Sequence, residues 1–193
     1  MSASLRRQFL DSNILVYAYD RTQEAKWKRA RAFLEDLWAS REATMSVQVL
    51  QEFFRVVTRK LPHPLSVSEA RPIVADLAKW PCHRPGAADV MAAIDLQEEL
   101  KISFWDAMIV HSARQMGCSV LWTEDLNDGQ RYAGVLVRDP FADLVMDNGE
   151  DAYARAREHA LDSLKHPFNL GTFGRITWTR DELHERHPQK KAK

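Results

Sequence analysis

The chain of 193 residues is long enough for one domain with a hydrophobic core and an additional segment, but short for two full-sized domains. Lysine plus arginine equals aspartate plus glutamate at 27 each, which excludes binding of nucleic acid through an overall positive charge. With two cysteines, no apolar N-terminal stretch and no long apolar segment, we expect no disulfide framework, signal peptide or membrane span, and a cytoplasmic location.

The first part of the chain alternates short apolar segments with helical patterns. Gln8–Leu10 is predicted to be a strand, and the turn-forming Asp11–Asn13 that follows favours a helix N-terminus. Apolar residues at helical spacing predict an amphipathic helix over Trp27–Ser40. Ala43–Val47 is predicted to be a second strand, leading into a helix that stops at Leu61–Pro64.

Three further helices are predicted from their start and stop signals. The spacing Ser66–Glu69 has the form of a capping box, and this helix ends at Trp80–Pro81. Pro85–Gly86 begins the next helix, and Ser103 opens a third that Gly117 terminates.

Two later segments predict strands that are buried on both faces. Ser119–Thr123 and Val135–Val137 are apolar runs, separated by a polar turn over Glu124–Tyr132. Strands that alternate with helices predict a parallel sheet covered by helices. Ligands of such sheets bind beyond the carboxyl ends of the strands, which locates the site.

Four acids are expected near that edge. Asp11 follows the first strand, Asp106 lies in the first turn of a helix, Asp125 follows an apolar strand, and Glu52 lies on the flank of a helix stripe. Clustered carboxylates repel one another and are retained mainly where a cation neutralises them. Oxygen ligands suit Mg²⁺ or Mn²⁺, which can activate a water for attack on a phosphodiester without a protein nucleophile.

Each acid also has a purely structural interpretation. Asp11 can cap the helix that follows it, and Asp106, three residues after a capping serine, can close a capping box. Glu52 alone can be a solvated charge, while Asp125 and Asp128 lie in a turn rich in turn-forming residues. The spacing of residues so far apart in the sequence does not decide between these interpretations.

Four segments, in order, resemble sequence blocks of PIN-domain proteins, and of the VapC toxins in particular. They are Phe9–Ala18, Ser46–Phe54, Phe104–Val110 and Leu121–Gln130. The resemblance covers roughly Gln8–Pro140. It implies a three-layer α/β/α fold with a central parallel sheet for residues 8–140. Residues 141–193 contain no convincing strand pattern and are expected to form a mainly helical extension.

The same resemblance implies a function and a set of site residues. It implies an endoribonuclease that depends on Mg²⁺ or Mn²⁺, acts on RNA, is inhibited by a cognate antitoxin protein and forms a homodimer. The implied metal-coordinating catalytic residues are Asp11, Glu52, Asp106 and Asp125, with Asp128 as an accessory metal ligand. Ser12 or Asn13, together with Thr123, are implied to orient a metal-bound water or a carboxylate.

The sequence departs from these toxins after Pro140, where they usually end. The extra segment can be a dimerisation arm, an RNA-binding extension, a self-inhibiting segment that places an arginine in the acidic pocket, or inert packing. Within it we predict a helix over Asp151–Lys165 and a capped start at Thr179. His184 and His187 lie one helical turn apart, but no third metal ligand accompanies them.

Two other functions remain open from the sequence. An aspartate-nucleophile phosphatase also places an aspartate such as Asp11 after a strand, but it usually has a second aspartate two residues on, where this chain has Asn13. A PIN-fold module that binds a partner without catalysis is the other alternative. The presence of all four acids argues against it.

Overall fold

The centre of the computed structural model, which describes residues 7–145, is a six-stranded sheet. The strands are β1 (Gln8–Leu10), β2 (Ala43–Ser46), β3 (Cys82–His83), β4 (Val120–Trp122), β5 (Arg131–Tyr132) and β6 (Val135–Arg138). Their order across the sheet is β3-β2-β1-β4-β6-β5. All neighbours are parallel except β5 and β6, which pair antiparallel.

Helices lie on both sides of this sheet, which confirms the predicted three-layer α/β/α fold. They are α1 (Ser12–Tyr17), α2 (Glu24–Ser40), α3 (Val47–Arg59), α4 (Val67–Leu77), α5 (Ala87–Leu100), α6 (Phe104–Gln115) and α7 (Ala142–Val145). None of the helices within residues 7–145 is long and apolar enough to cross a bilayer.

Two of the predicted helix starts, at Ser66 and Ser103, are confirmed by their caps, whereas the helix predicted from Trp27 begins three residues earlier, at Glu24. The hydroxyl of Ser66 accepts a hydrogen bond from the backbone N–H of Glu69 at 3.3 Å, and the Glu69 carboxylate accepts one from the N–H of Ser66 at 2.8 Å. Ser103 caps α6 in the same way through the N–H of Asp106. After α6, Gly117 adopts a φ of 67°, where a side chain would be strained.

The sheet is mixed rather than wholly parallel because β5 pairs antiparallel with β6, and two short strands, β3 and β5, were not predicted. β5 lies inside the segment predicted as a polar turn. Ala133 and Gly134 both have positive φ and form a two-residue hairpin turn that pairs Tyr132 with Val135. β3 was missed as well, since two residues are too few to show a periodic pattern. The predicted second strand is one residue shorter, because Ser46 caps α3 and Val47 is already helical.

The core lies between the central strands and the helices that cover them. Phe9, Leu121 and Val137 are fully buried, and Phe53 packs into the same cluster from α3. Phe141, just beyond the predicted end of the domain, is also fully buried and contacts the ring of Tyr17 edge to face at 5.1 Å. The helices predicted for the extension and the His184–His187 pair lie outside the described residues.

Candidate active site

Asp11 lies at the carboxyl end of β1, where it caps α1 and is 6% exposed. Its Oδ1 accepts a hydrogen bond from the backbone N–H of Ser12 at 2.6 Å, and its Oδ2 accepts one from the hydroxyl of Thr123 at 2.8 Å. Burial and the charge of Asp125 raise the pKa of Asp11 from 3.8 to about 7, despite these two hydrogen bonds. The structural interpretation of Asp11 as an N-cap is therefore confirmed, and its burial and raised pKa are compatible with the site role predicted for the same side chain.

Asp125 follows β4, the strand that pairs with β1. Its Oδ2 accepts a hydrogen bond from Nδ2 of Asn13 at 3.0 Å. Burial raises its pKa to about 6, with further contributions from the charges of Glu124 and then Asp106. A carboxyl group with such a pKa is held close to other negative charges in a place that water reaches poorly.

Thr123 and Asn13 connect these two acids. The Thr123 hydroxyl is buried, and it accepts hydrogen bonds from Nδ2 of Asn13 at 3.1 Å and from the backbone N–H of Asp125 at 3.2 Å. Oδ1 of Asn13 is buried and has no hydrogen-bond partner among residues 7–145. An oxygen acceptor is therefore available beside the carboxylates.

Glu52 reaches the site from α3, as its place on the helix flank predicted. The hydroxyl of Ser12 donates a hydrogen bond to Oε2 of Glu52 at 3.0 Å. The Glu52 charge contributes to the raised pKa values of both Asp11 and Asp125. Ser12 thus connects the N-terminus of α1 to α3 and orients a third acid.

Asp106 enters from the first turn of α6. Its Oδ2 accepts a hydrogen bond from the hydroxyl of Ser103 at 2.7 Å, while its backbone N–H donates to the same hydroxyl at 3.1 Å. Burial raises its pKa, and the two bonds with Ser103 offset part of that rise. Its charge acts on Asp125, so the four acids form one electrostatic group.

Asp128 makes different contacts from these four acids. Its Oδ1 accepts a hydrogen bond from the backbone N–H of Asp139 at 2.9 Å, and its Oδ2 lies 3.6 Å from the guanidinium of Arg138. These contacts fix the turn between β4 and β6. The metal-ligand role predicted for Asp128 has no support from them.

Two features of this edge were not predicted from the sequence. Glu124 forms an ion pair with Lys26 and accepts a hydrogen bond from the hydroxyl of Tyr17. Gln48, on α3 one turn before Glu52, is 9% exposed, and neither amide atom has a hydrogen-bond partner within the described part of the chain. The position of Glu124 beside Asp125 was the one available signal, and nothing in the sequence pattern distinguished Gln48.

The donor chemistry of the site suits a hard divalent cation. Its oxygens come from carboxylates, an amide and hydroxyls, and a cation would offset the burial and the mutual repulsion that raise the pKa values of Asp11 and Asp125. Within residues 7–145, no three histidine, cysteine or acidic side chains already form a group that could hold a metal ion. The site therefore fits a divalent cation in the type of its donor atoms, and not through a preformed set of ligands among the described residues. Mg²⁺ often takes only one or two carboxylates directly and keeps several waters.

Comparisons with known proteins agree with this fold. The PIN domain family model matches residues 9–134. A toxin–antitoxin complex from Klebsiella pneumoniae has a chain with 17% identity and a TM-score of 0.52, over 69% of this chain and 97% of that chain. DNA-bound VapBC from Salmonella typhimurium gives 17% identity and a TM-score of 0.50, over 69% of this chain and 98% of that chain. No curated protein sequence matches the chain. Since the family model matches well over half of its length, the chain belongs to the PIN-domain family.

Proposed function

We propose that the protein is an endoribonuclease that depends on Mg²⁺ or Mn²⁺ and acts as the toxin of a VapBC-type pair. The observation that carries this proposal is the electrostatic group of four carboxylates at the carboxyl edge of the sheet. Burial, together with the neighbouring negative charges, raises the pKa values of Asp11 and Asp125 to about 7 and about 6, so the ionised site is unfavourable without a cation. Because the sequence also resembles PIN-domain ribonucleases, we expect this group of carboxylates to bind a cation and a phosphodiester.

In this proposal Asp11, Glu52, Asp106 and Asp125 hold the cation. A bound divalent cation would lower the pKa of a coordinated water and neutralise charge on the phosphodiester. Thr123 orients Asp11, and Ser12 orients Glu52, through the hydrogen bonds described above. These contacts fix the carboxylate planes before the substrate arrives.

Asn13 holds Asp125 through its Nδ2, which leaves its Oδ1, without a partner among residues 7–145, as a further acceptor for a metal-bound water. Asp128 remains an accessory acid predicted from the resemblance. Its contacts with Asp139 and Arg138 favour a role in fixing the turn.

An antitoxin partner is proposed from the structural comparisons. The similar structures from Klebsiella pneumoniae and Salmonella typhimurium are complexes of a toxin with its antitoxin. We expect expression of the chain to arrest growth of a bacterial host and the Asp11→Asn variant to leave growth unaffected. If the product of a small adjacent reading frame restores growth, the toxin assignment is supported. Normal growth of the host that expresses the wild-type chain would contradict it.

A homodimer is proposed from an exposed apolar stripe on α5. Val90, Met91 and Ile94 are 38%, 61% and 41% exposed, although they lie on one side of a helix whose opposite side is buried. Exposed large apolar side chains that cluster in this way are typical of association surfaces. A symmetric contact between two copies of α5 would cover the stripe.

The direct test is cleavage of total cellular RNA by the purified full-length chain. We expect cleavage with Mn²⁺ and none when EDTA is in excess, because the proposed nucleophile is a water that the cation activates. DNA of the same length serves as a second substrate and tests the preference for RNA. Cleavage that is unchanged in EDTA would reject metal dependence, and absence of cleavage under all conditions would favour a non-catalytic PIN-fold module.

A further inference from the structure

Lys26 is a partly buried cation held beside the acid group. It projects from α2 across the ring of Tyr17, with Nζ 4.3 Å from the ring centroid and 3.0 Å from the phenolic oxygen. The same Nζ lies 5.3 Å from the ring centroid of Phe141 and forms the ion pair with Glu124. The Lys26 and Glu124 side chains are 22% and 23% exposed, so solvent screens this pair only in part.

Glu124 is the residue through which Lys26 acts on the site. It directly precedes Asp125, and among nearby charges it affects Asp125 more strongly than Asp106 or Glu52 does. Without a cation, Glu124 would add a fifth negative charge to a group that already repels itself. Lys26 offsets part of that charge through the ion pair, and the hydroxyl of Tyr17 donates to the other oxygen of the same carboxylate.

We propose that Lys26 is a built-in counter-cation of the acid site. Its positive charge limits the affinity of the site for divalent cations and lowers the repulsion between the site and a phosphate-bearing strand. This inference rests on the proposed function. The two effects have opposite signs for a metal ion and for RNA. A site with one additional negative charge attracts Mn²⁺ more strongly and repels a polyanion more strongly.

The opposite signs separate this role from a structural one. Loss of a packing contact or local loosening of the site would weaken the binding of both ligands. Removal of a positive charge strengthens one and weakens the other. The neutral variant Lys26→Met keeps most of the aliphatic stem that crosses Tyr17, so it tests the charge itself.

The test measures two affinities in the full-length chain. Mn²⁺ binding is measured by isothermal titration calorimetry, and binding of a fluorescein-labelled single-stranded RNA is measured by anisotropy in EDTA, where no cleavage is expected. For Lys26→Met we expect Mn²⁺ affinity to rise about fivefold and RNA affinity to fall about fivefold, the effect of one charge in a partly screened site.

Three controls fix the interpretation. Lys28→Met removes a charge from the same helix, but Lys28 pairs with Glu24 and its side chain is 65% exposed, so both affinities should stay unchanged. Lys26→Arg should retain wild-type values. The double variant Lys26→Met with Glu124→Gln removes both charges and should return both affinities toward wild type.

The outcomes distinguish this inference from the proposed function. A parallel fall of both affinities, or no change in either, in Lys26→Met would overturn the counter-cation role even if the wild-type protein cleaves RNA. Failure of the wild-type protein to bind Mn²⁺ would overturn both. If Lys26→Met does not fold, Glu124→Gln alone decides the question, because it should weaken Mn²⁺ binding and strengthen RNA binding.

Discussion

The hydroxyl of Thr123 donates a hydrogen bond to Oδ2 of Asp11 at 2.8 Å, although 112 positions separate the two residues. They meet because β1 and β4 are adjacent parallel strands, with Leu10 opposite Trp122. Each residue follows the end of its strand, so the sheet itself sets their distance. This contact joins the most buried acid of the site to the residue that also orients Asp125.

Replacement of Thr123 by valine should lower metal-dependent cleavage about 10- to 100-fold, in the range found when partners of metal ligands are removed. The valine keeps the shape of the side chain but removes the donor to Asp11 and the acceptor for Asn13. Steady-state cleavage of a labelled RNA measures the loss. Thr58→Val, which removes a hydroxyl bonded to the backbone oxygen of Phe54, serves as the control and should retain activity. Equal losses in the two variants would contradict a specific role for Thr123.

Stability of the metal-free protein should fall as pH rises through the range in which Asp11 ionises. Its folded-state pKa of about 7 exceeds the ordinary 3.8, so the folded protein binds this proton more tightly than the unfolded chain does. The contribution is complete below about pH 4 and is lost by about pH 7, and the difference corresponds to about 4 kcal/mol. Thermal unfolding in EDTA at several pH values measures it.

Two comparisons isolate this effect from the other titrating groups. Asp11→Asn should reduce the decline in stability between pH 4 and 7, because the amide does not ionise, and the decline that remains belongs to other acids such as Asp125, whose pKa is raised to about 6. Addition of Mn²⁺ at pH 8 should stabilise the wild-type protein more than this variant. An identical pH profile for the two proteins would show that Asp11 is not the group responsible.

A histidine network on the other side of α6 should make the protein sensitive to acid. Nδ1 of His83 lies 3.0 Å from the hydroxyl of Ser112, and Nε2 of His111 lies 2.9 Å from Oδ1 of Asp89. Burial lowers the pKa of His83, although the charge of Asp89 opposes this. The unfolded chain therefore takes up this proton first, and stability is lost as pH falls below the ordinary value of 6.5.

Urea unfolding at pH 7.5 and pH 5.5 tests this network. His83→Asn should reduce the loss of stability between the two pH values, whereas His63→Asn, at an exposed position in the loop after α3, should leave it unchanged. A full loss of stability in the His83 variant would assign the acid sensitivity to other groups.

The stripe on α5 predicts a variant that is folded but monomeric. Ile94→Lys should disrupt the proposed dimer, because it places two like charges at a symmetric contact. Since Ile94 is 41% exposed, the stability of the folded chain should change by only about 0.5 kcal/mol. Sedimentation velocity measures the oligomeric state. Val67→Lys, at a 64% exposed apolar position on α4, is the matched control and should stay dimeric. A wild-type monomer would reject the dimer.

The longer elements could be predicted from sequence because their signals are local. The capping box of α4 and the terminating Gly117 act within a few residues. A helix of 11 residues, such as α4, also repeats its apolar pattern about three times. The strands β3 and β5 have two residues each, so their formation depends on neighbouring strands rather than on their own pattern.

The site was predictable only in part. The resemblance identified the four acids, and the structure brings them into one electrostatic group. The link from Lys26 to Glu124 spans 98 positions and depends on how α2 crosses Tyr17, which no local pattern encodes. Likewise, the contacts of Asp128 with Asp139 and Arg138 follow from the turn after β4.

The central claim, that the acid group at the sheet edge cleaves RNA with a divalent cation, is tested most directly by the Asp106→Asn variant. This change removes one charge at nearly constant shape, and Asp95→Asn, at an exposed position on α5, removes the same charge away from the site. With Mn²⁺ and a labelled RNA, the account predicts that Asp106→Asn loses cleavage, while Asp95→Asn cleaves at the wild-type rate and both variants keep the wild-type fold by circular dichroism. Wild-type cleavage by Asp106→Asn would contradict the account.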